Sequence, residues 1–228
     1  MTKKILLFGA SQRTGLEVAR LLVQRGDKVT AFVRPTSDLT ELNKLGVSFV
    51  TGDVRNATDV AAAFAADNFD AVISTFGGAR GDDPRPDFIG TCNIVDAARA
   101  RGVQRILMTT VIGAGDSRGA VADNVMKFLG PVIAEKTRAE DYLTAGGLNA
   151  TILRPGGMGS AAATGTAIKT EDHSVMGMIQ RADLAALLVE CLDDDATIGK
   201  IYHAIDPAAT EQPPLQRGEA WKAGDKKP

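Results

Sequence analysis

The sequence is poor in cysteine and in long apolar runs, and each shortage excludes a class of protein. Only two cysteines occur in 228 residues, Cys92 and Cys191, so we expect neither a disulfide framework nor a thiolate metal site. No apolar run approaches the ~18–20 residues of a membrane-spanning helix. We therefore expect a protein that is neither exported nor inserted in a membrane, in a reducing, cytoplasmic setting.

Neither sign of charge dominates, since 26 Lys and Arg face 28 Asp and Glu. A nucleic-acid-binding face built on bulk charge is therefore not expected. Only two histidines occur, and with the scattered acids they show no metal-ligand spacing, so we expect no metal site. The apolar share of 44% and the charged share of 24% are typical of a folded globular domain.

Short apolar runs alternate with helical patterns along most of the chain. Residues 5–8 form an unbroken apolar run, which is typical of a strand covered on both faces. Further strands are predicted at 29–33, 47–50, 71–75, 105–110, 151–154 and 201–205. Helices are predicted at 14–25, 39–44, 59–66, 88–101, up to about 145, and at 181–192. This alternation predicts an α/β fold with a doubly wound, mostly parallel, Rossmann-like sheet.

The alternation stops after Arg154, where the chain becomes rich in small residues. We interpret 156–165 as a mobile loop and 166–169 as an extended segment, which together make a small C-terminal extension on the substrate side. Residues 1–206 are expected to form one domain. The tail at 207–228 is rich in Pro, Gly, Lys and Glu and is a candidate for disorder, with Leu215 and Trp221 as its two possible anchors.

A turn bounded by Gly9 and Gly15 links the first strand to the first helix. Open N–H groups at a helix start attract an anion, and the spacing matches the outer glycines of a G-x-x-G-x-x-G dinucleotide turn. Gln12 replaces the middle glycine. Either the turn binds a dinucleotide more weakly, or its backbone lies further from the phosphates and its side chains supply the hydrogen-bond donors. Those side chains are Ser11, Arg13 and Thr14. A tight turn without a ligand is the alternative, and we favour cofactor binding.

The ends of the next strands carry further candidates for this cofactor. Arg34 ends the second strand, where an NADP site places a cation for the 2′-phosphate and an NAD site places an acid, so we favour NADP over a solvated arginine. Asp53, followed by Val54, could accept a hydrogen bond from the adenine amino group, while Thr58 or Asn56 fits a helix cap better. Strand four ends in residues that let a ribose and a nicotinamide approach the backbone, namely Thr75, Phe76 and Gly77.

Together these motifs resemble the atypical short-chain dehydrogenase/reductase family, nearest to the branch of biliverdin-IXβ and flavin reductases and the NmrA-like NADP-binding proteins. The likeness covers about residues 3 to 206. The motifs that carry it are the glycine turn, Val33-Arg34, Gly52-Asp53-Val54, Asp70-Ala71-Val72-Ile73, Asn93-Ile94-Val95, Leu153-Arg154-Pro155-Gly156 and Asp183-Leu184-Ala185. The resemblance implies a cofactor across the carboxyl ends of the strands, with Pro155 beside it and the substrate beneath the loop that follows.

The resemblance also implies a catalytic Tyr-x-x-x-Lys pair on the long fifth helix and a hydroxyl at the end of strand five. Lys136 looks like the lysine, but Val132 stands four residues before it. Neither Tyr142 nor Tyr202 has a lysine four residues later. We assign the catalytic positions to Lys136 and to Thr110, which stands with Thr109 at the end of strand five.

Several of these residues have plainer interpretations. Lys136 could instead pair with Glu140 on a charged helix face, although we favour a ribose-binding role. Asp183 is expected to satisfy the start of its own helix. His173 could face the substrate but is more typical of an exposed loop residue, and His203 is expected at a sheet edge.

The sequence therefore predicts an NADPH-dependent reductase of a flat conjugated small molecule such as a flavin, quinone or tetrapyrrole. Such an acceptor can be protonated by water, so the tyrosine acid is not required. The alternatives are a non-catalytic NADP(H) redox sensor and a scaffold that binds no dinucleotide. The sequence leaves open whether the protein is a monomer or a homodimer.

Overall fold

The computed structural model describes residues 2–78, 82 and 84–209, and the statements below concern these residues. Most of the proposed tail, including the candidate anchors Leu215 and Trp221, lies outside them. Within the described part of the chain, no helix is both long and apolar enough to cross a bilayer.

An eight-stranded sheet forms the centre of the fold, in the order β3-β2-β1-β4-β5-β6-β10-β8. Its parallel strands are β1 (Lys4–Phe8), β2 (Lys28–Val33), β3 (Ser48–Thr51), β4 (Ala71–Ser74), β5 (Arg105–Thr109), β6 (Asn149–Pro155) and β10 (Lys200–Ile205). β8 (Ile168–Thr170) pairs with β10 in the antiparallel direction. From β1 the chain adds strands toward one edge of the sheet as far as β3, and from β4 onward it adds them toward the other edge. This reversal confirms the doubly wound fold, and it creates a crevice between β1 and β4 where such sheets bind ligands.

Helices cover both faces of this sheet. They are α1 (Arg13–Gln24), α2 (Thr40–Leu45), α3 (Ala57–Ala65), α4 (Pro86–Arg101), α5 (Asp123–Ala145) and α6 (Arg181–Asp193). Side chains alternate along β1, so Ile5 joins the core that includes α1 and α6, whereas Leu6 joins the core that includes α3, α4 and α5. Burial on both faces explains why the strand is an unbroken apolar run, and each such side chain contributes roughly 1.5–3 kcal/mol.

The segment after β6 is more regular than its composition predicted. β7 (Gly157–Gly159) pairs in parallel with β9 (Met178–Gln180), so the prediction of a loop is wrong at 157–159. A Cβ on Gly157 would lie 2.3 Å from the Met178 sulfur, and one on Gly159 would lie 2.2 Å from the Gln180 Oε1. These glycines therefore allow the two strands to approach closely. β8 overlaps the predicted extended segment at 168–169.

Asp183 lies in the first turn of α6 as predicted, but its partners, like the burial of His203, were not predicted. His203 is fully buried because β8 covers the far side of β10, so its placement at an edge is wrong. Its Nδ1 donates to the Val175 carbonyl at 2.8 Å, and burial lowers its pKa. The Asp183 carboxylate accepts the N–H groups of Thr164 and Gly165, both at 2.9 Å, so it holds the preceding loop and does not cap α6. Asn56 caps α3 as predicted, by accepting the Thr58 N–H.

Candidate functional site

A cavity of about 540 Å³ opens at the carboxyl ends of the central strands. It brings together every residue that the sequence singled out for cofactor binding or catalysis. These are Gly9, Ser11, Gln12, Arg13, Thr14, Gly15, Arg34, Asp53, Val54, Thr75, Phe76, Gly77, Thr110, Lys136 and Pro155. Their roles toward a ligand remain predictions, because the structure shows their placement alone.

The turn between β1 and α1 needs glycine at its two ends. Gly9 has a φ of 84°, and a Cβ there would lie 2.7 Å from the Phe76 nitrogen. A Cβ on Gly15 would lie 2.0 Å from the Gly9 carbonyl oxygen. Gln12, by contrast, has an extended backbone with a φ of −158°, which any residue adopts. The left-handed residue between the glycines is Arg13, with a φ of 53°.

Three of the five arginines that line the cavity are not paired with a carboxylate of the described residues. Arg13, Arg34 and Arg181 line it, and none of them forms a salt bridge with another described residue. Burial and the charge of Arg13 lower the pKa of Arg181. Like charges held together without carboxylate partners favour an anionic ligand, and the phosphates of a dinucleotide fit this requirement.

Asp53 also lines the cavity, close enough to Arg34 to feel its charge, and its carboxylate is already engaged. Arg55 binds it at 2.5 Å, and the Arg55 hydrogen bonds hold the pKa of Asp53 below its usual range. Its acceptance of an adenine amino group therefore stays a prediction and would use the remaining lone pairs of the carboxylate.

Lys136 reaches into the floor of the cavity from α5. Its Nζ lies 3.1 Å from the Asp87 Oδ1 and donates to the Phe76 carbonyl at 2.9 Å. The pairing with Glu140 is therefore wrong, because the geometry of the fold gives Lys136 a different carboxylate. The side chain is 10% exposed, so the ammonium is held in place and is not a solvated surface charge.

Asp87 is the site residue that the sequence did not reveal. It is fully buried, and Arg85 binds it at 2.9 Å while the Gly78 N–H donates to it at 3.1 Å. Burial raises its pKa, but Lys136, the Gly78 N–H and Arg85 outweigh that effect and hold the pKa below its usual range. An acid beside Pro86 in a first helical turn is usually exposed, so burial is the signal that the sequence lacks.

Apolar side chains also line the cavity. They are Val111, Leu129, Val132 and Met158. Tyr142 faces away, with its hydroxyl donating to Asp96 at 2.9 Å, and Tyr202 packs in the core on β10. Neither tyrosine lines the cavity, and Val132 occupies the wall where the family's tyrosine would precede Lys136.

A buried polar chain leads away from Thr110. The Thr110 hydroxyl donates to the Glu140 Oε1 at 2.5 Å, and Arg154 binds both oxygens of that carboxylate, at 3.0 and 2.7 Å. Arg154 also binds Asp116, whose other oxygen lies 2.8 Å from the His173 Nδ1.

The hydrogen bonds that link Thr110 to Asp116 correct the interpretation of His173. The residue is outside the cavity lining, so it does not face a substrate there, and its hydrogen bond to Asp116 and its stacking on His203 exclude a free loop position. Burial opposes ionisation of Asp116, but Arg154 and His173 outweigh it and lower the pKa to about 2.

The chain is similar in sequence and structure to several known proteins. It is 34% identical to ChuY, an anaerobillin reductase of Escherichia coli O157:H7, with a TM-score of 0.81 over 90% of this chain and 97% of that one. It is 29% identical to YhfK of Bacillus subtilis, named an uncharacterized sugar epimerase, over 87% of this chain and 92% of the relative. It is 25% identical to sanguinarine reductase of Eschscholzia californica, over 87% of each.

A family model described as NAD(P)H-binding matches residues 9–195, which include the glycine turn, the strand ends around the cavity and the whole of α6. The resemblance inferred from the sequence motifs is thereby confirmed. The chain belongs to this NAD(P)H-binding family of atypical short-chain dehydrogenases/reductases with a Rossmann-like fold.

Proposed function

We propose that the protein is an NADPH-dependent reductase of a flat conjugated small molecule of the flavin, quinone or tetrapyrrole type. The observation that carries this proposal is the apolar part of the cavity lining, which includes Met158 and Val132, one helical turn before Lys136, and neither of the two tyrosines. A conjugated ring needs a surface to stack on more than it needs a phenolic acid. Its reduced form can take a proton from water.

The residues of the cavity divide between two tasks. The glycine turn and Arg13 would hold the pyrophosphate, Arg34 the 2′-phosphate and Lys136 a ribose hydroxyl. NADPH, when bound, supplies the hydride. Asp87 keeps Lys136 in position, because its carboxylate is buried and its ion pair with the ammonium cannot exchange freely with water. Val132 and Met158 would exclude water from the face of the acceptor ring.

Names of relatives favour reduction over other chemistry. Two of the three relatives are named as reductases, of anaerobillin and of sanguinarine. The epimerase name of the Bacillus relative would instead predict a sugar. Sugar hydroxyls need hydrogen-bonding side chains, and the apolar wall offers few of them.

The test is steady-state NADPH consumption with flavin, quinone and tetrapyrrole acceptors, by the parent and by a Tyr142→Phe, Tyr202→Phe double variant. We expect consumption that depends on the acceptor, and a double variant within a few-fold of the parent. Removal of a true general acid typically costs ~10²–10⁴-fold, so the two outcomes are well separated. NADPH binding without consumption would identify the protein as a redox sensor. A large loss of the consumption rate in the double variant would show that a tyrosine acts as the general acid.

A further inference from the structure

Arg13 and Arg181 each begin a helix that borders the cavity. Arg13 is the first residue of α1, and Arg181 is the first residue of α6. The two helices pack together, with Leu22 of α1 and Leu188 of α6 in the same buried core. Because both arginines line the cavity, this packing brings two cations from distant parts of the chain to one ligand site.

Arg181 is held on one side by the segment that contains β7. Its Nη1 donates to the carbonyls of Met158 and Gly159 at 3.1 and 2.9 Å, and to the Ser160 hydroxyl at 2.7 Å. All these acceptors are neutral, so a side-chain amide could make the same contacts. The hydrogen bonds therefore explain the position of Arg181 but not its charge.

The other edge of this guanidinium has no partner among the described residues. Arg154 uses its Nε and Nη2 to bind Glu140 at 3.0 and 2.7 Å. Arg55 turns the same edge to Asp53. The Nε and Nη2 of Arg181 form no hydrogen bond with any described residue, since its contacts all use Nη1. The edge that binds a carboxylate elsewhere in this molecule is therefore left for a ligand.

The charges of the two arginines are not balanced within the described part of the chain. Neither Arg13 nor Arg181 forms a salt bridge there, and burial and the charge of Arg13 lower the pKa of Arg181. An anion bound to both guanidinium groups would remove this repulsion. A phosphate or a carboxylate presents two oxygens that match the paired donors of a guanidinium edge.

We propose that Arg181 is a ligand-binding residue that holds, together with Arg13, an oxyanion of a molecule bound in the cavity. Two molecules can supply this oxyanion: the cofactor through its pyrophosphate, or the acceptor through a carboxylate or phosphate group. The second source rests on the proposed function, whereas the first rests on the NAD(P)H-binding family alone. In both cases one guanidinium joins the oxyanion to the backbone of Met158, a residue of the cavity lining.

The first arm of the experiment tests the cofactor as the source, by calorimetry with NADP⁺ and with adenosine 2′-phosphate. Adenosine 2′-phosphate lacks the pyrophosphate, so its binding also reports whether a variant is folded. Arg181→Gln removes the charge and keeps an amide that can donate to the β7 carbonyls. If the pyrophosphate is the oxyanion, this variant should bind NADP⁺ at least about tenfold more weakly than the parent and bind adenosine 2′-phosphate equally well.

The second arm tests the acceptor as the source, with riboflavin and its 5′-phosphate, FMN. Binding is measured by quenching of flavin fluorescence at saturating NADP⁺. If the acceptor supplies the oxyanion, the parent should bind FMN about tenfold more tightly than riboflavin, and Arg181→Gln should bind the two equally. In either arm Arg181→Lys, which keeps the positive charge, should recover part of the lost affinity.

Arg20→Gln is the matched control. Arg20 lies on α1 outside the cavity lining and already binds Glu17 and Glu41, so its replacement should leave all these affinities close to those of the parent. An effect of Arg20→Gln as large as that of Arg181→Gln would assign the change to net charge and overturn the inference.

Two further outcomes would contradict the role of Arg181. In the first, Arg181→Gln binds NADP⁺ like the parent and leaves the relative affinity for FMN and riboflavin unchanged. In the second, it loses affinity equally for all the ligands, which would show that Arg181 only holds β7 in place. NADPH consumption is measured separately, so intact NADP⁺ binding without consumption would count against the proposed function and leave the cofactor arm decisive.

Discussion

Replacement of Arg154 by methionine is expected to lower the free energy of unfolding by about 3–5 kcal/mol. The change leaves Glu140 as a buried carboxylate that has lost both guanidinium hydrogen bonds and keeps only the Thr110 hydroxyl. Methionine fills much of the volume of the arginine stem, so the loss reports the uncompensated charge more than a cavity. The measurement is urea unfolding of the two proteins at neutral pH.

Arg118→Met is the matched control for this prediction. Arg118 binds Asp123 at 3.0 Å, but the two side chains are 49% and 90% exposed. Exposed pairs are typically worth less than ~1 kcal/mol, so this variant should lie close to the parent. If Arg154→Met lowered the free energy of unfolding no more than Arg118→Met does, the buried pair of Arg154 and Glu140 would not stabilise the fold, and Glu140 would be free to turn.

Arg34→Glu is expected to weaken NADPH binding by about 2–3 kcal/mol while leaving NADH binding nearly unchanged. Arg34 lines the cavity without a salt bridge to any described residue, so its charge is available to a 2′-phosphate that NADH lacks. Calorimetric dissociation constants for both cofactors give the selectivity.

Arg55→Gln serves as its control, because Arg55 lines the same cavity but is already bound to Asp53. We expect this variant to change the ratio of the two affinities much less. An equal loss of NADPH and NADH affinity in Arg34→Glu would remove Arg34 from a phosphate-specific role. Retention of both affinities would remove it from the site.

The strands and helices of the sheet could be predicted because their signals are local. Ile5 and Leu6 face opposite cores, and both must be apolar whatever the rest of the chain does. The turn glycines could be predicted in the same way, because contacts within one turn and with the neighbouring strand end require glycine at positions 9 and 15. β7 was missed because Gly157 and Gly159, two of its three residues, have no side chains from which a strand pattern could be inferred.

Ion pairs of the site could not be predicted because their partners are distant in sequence. Spacing on α5 suggested Lys136 with Glu140, four residues apart. The fold brings Asp87 from α4 to Lys136 and Arg154 from β6 to Glu140. A buried arginine takes the nearest buried carboxylate, and only the packing of α5 on β6 determines which one that is.

The most direct measurement of reductase function is a single-turnover experiment with NADPH and with NADPH deuterated at the transferring position of the nicotinamide. Protein in excess over the cofactor is mixed with a flavin or a linear tetrapyrrole, and the disappearance of NADPH absorbance is followed. We expect a decay that requires both protein and acceptor, and that deuterium slows. Binding of NADPH, shown by a raised melting temperature, without any acceptor-dependent decay would contradict hydride transfer and identify the chain as a cofactor-binding sensor.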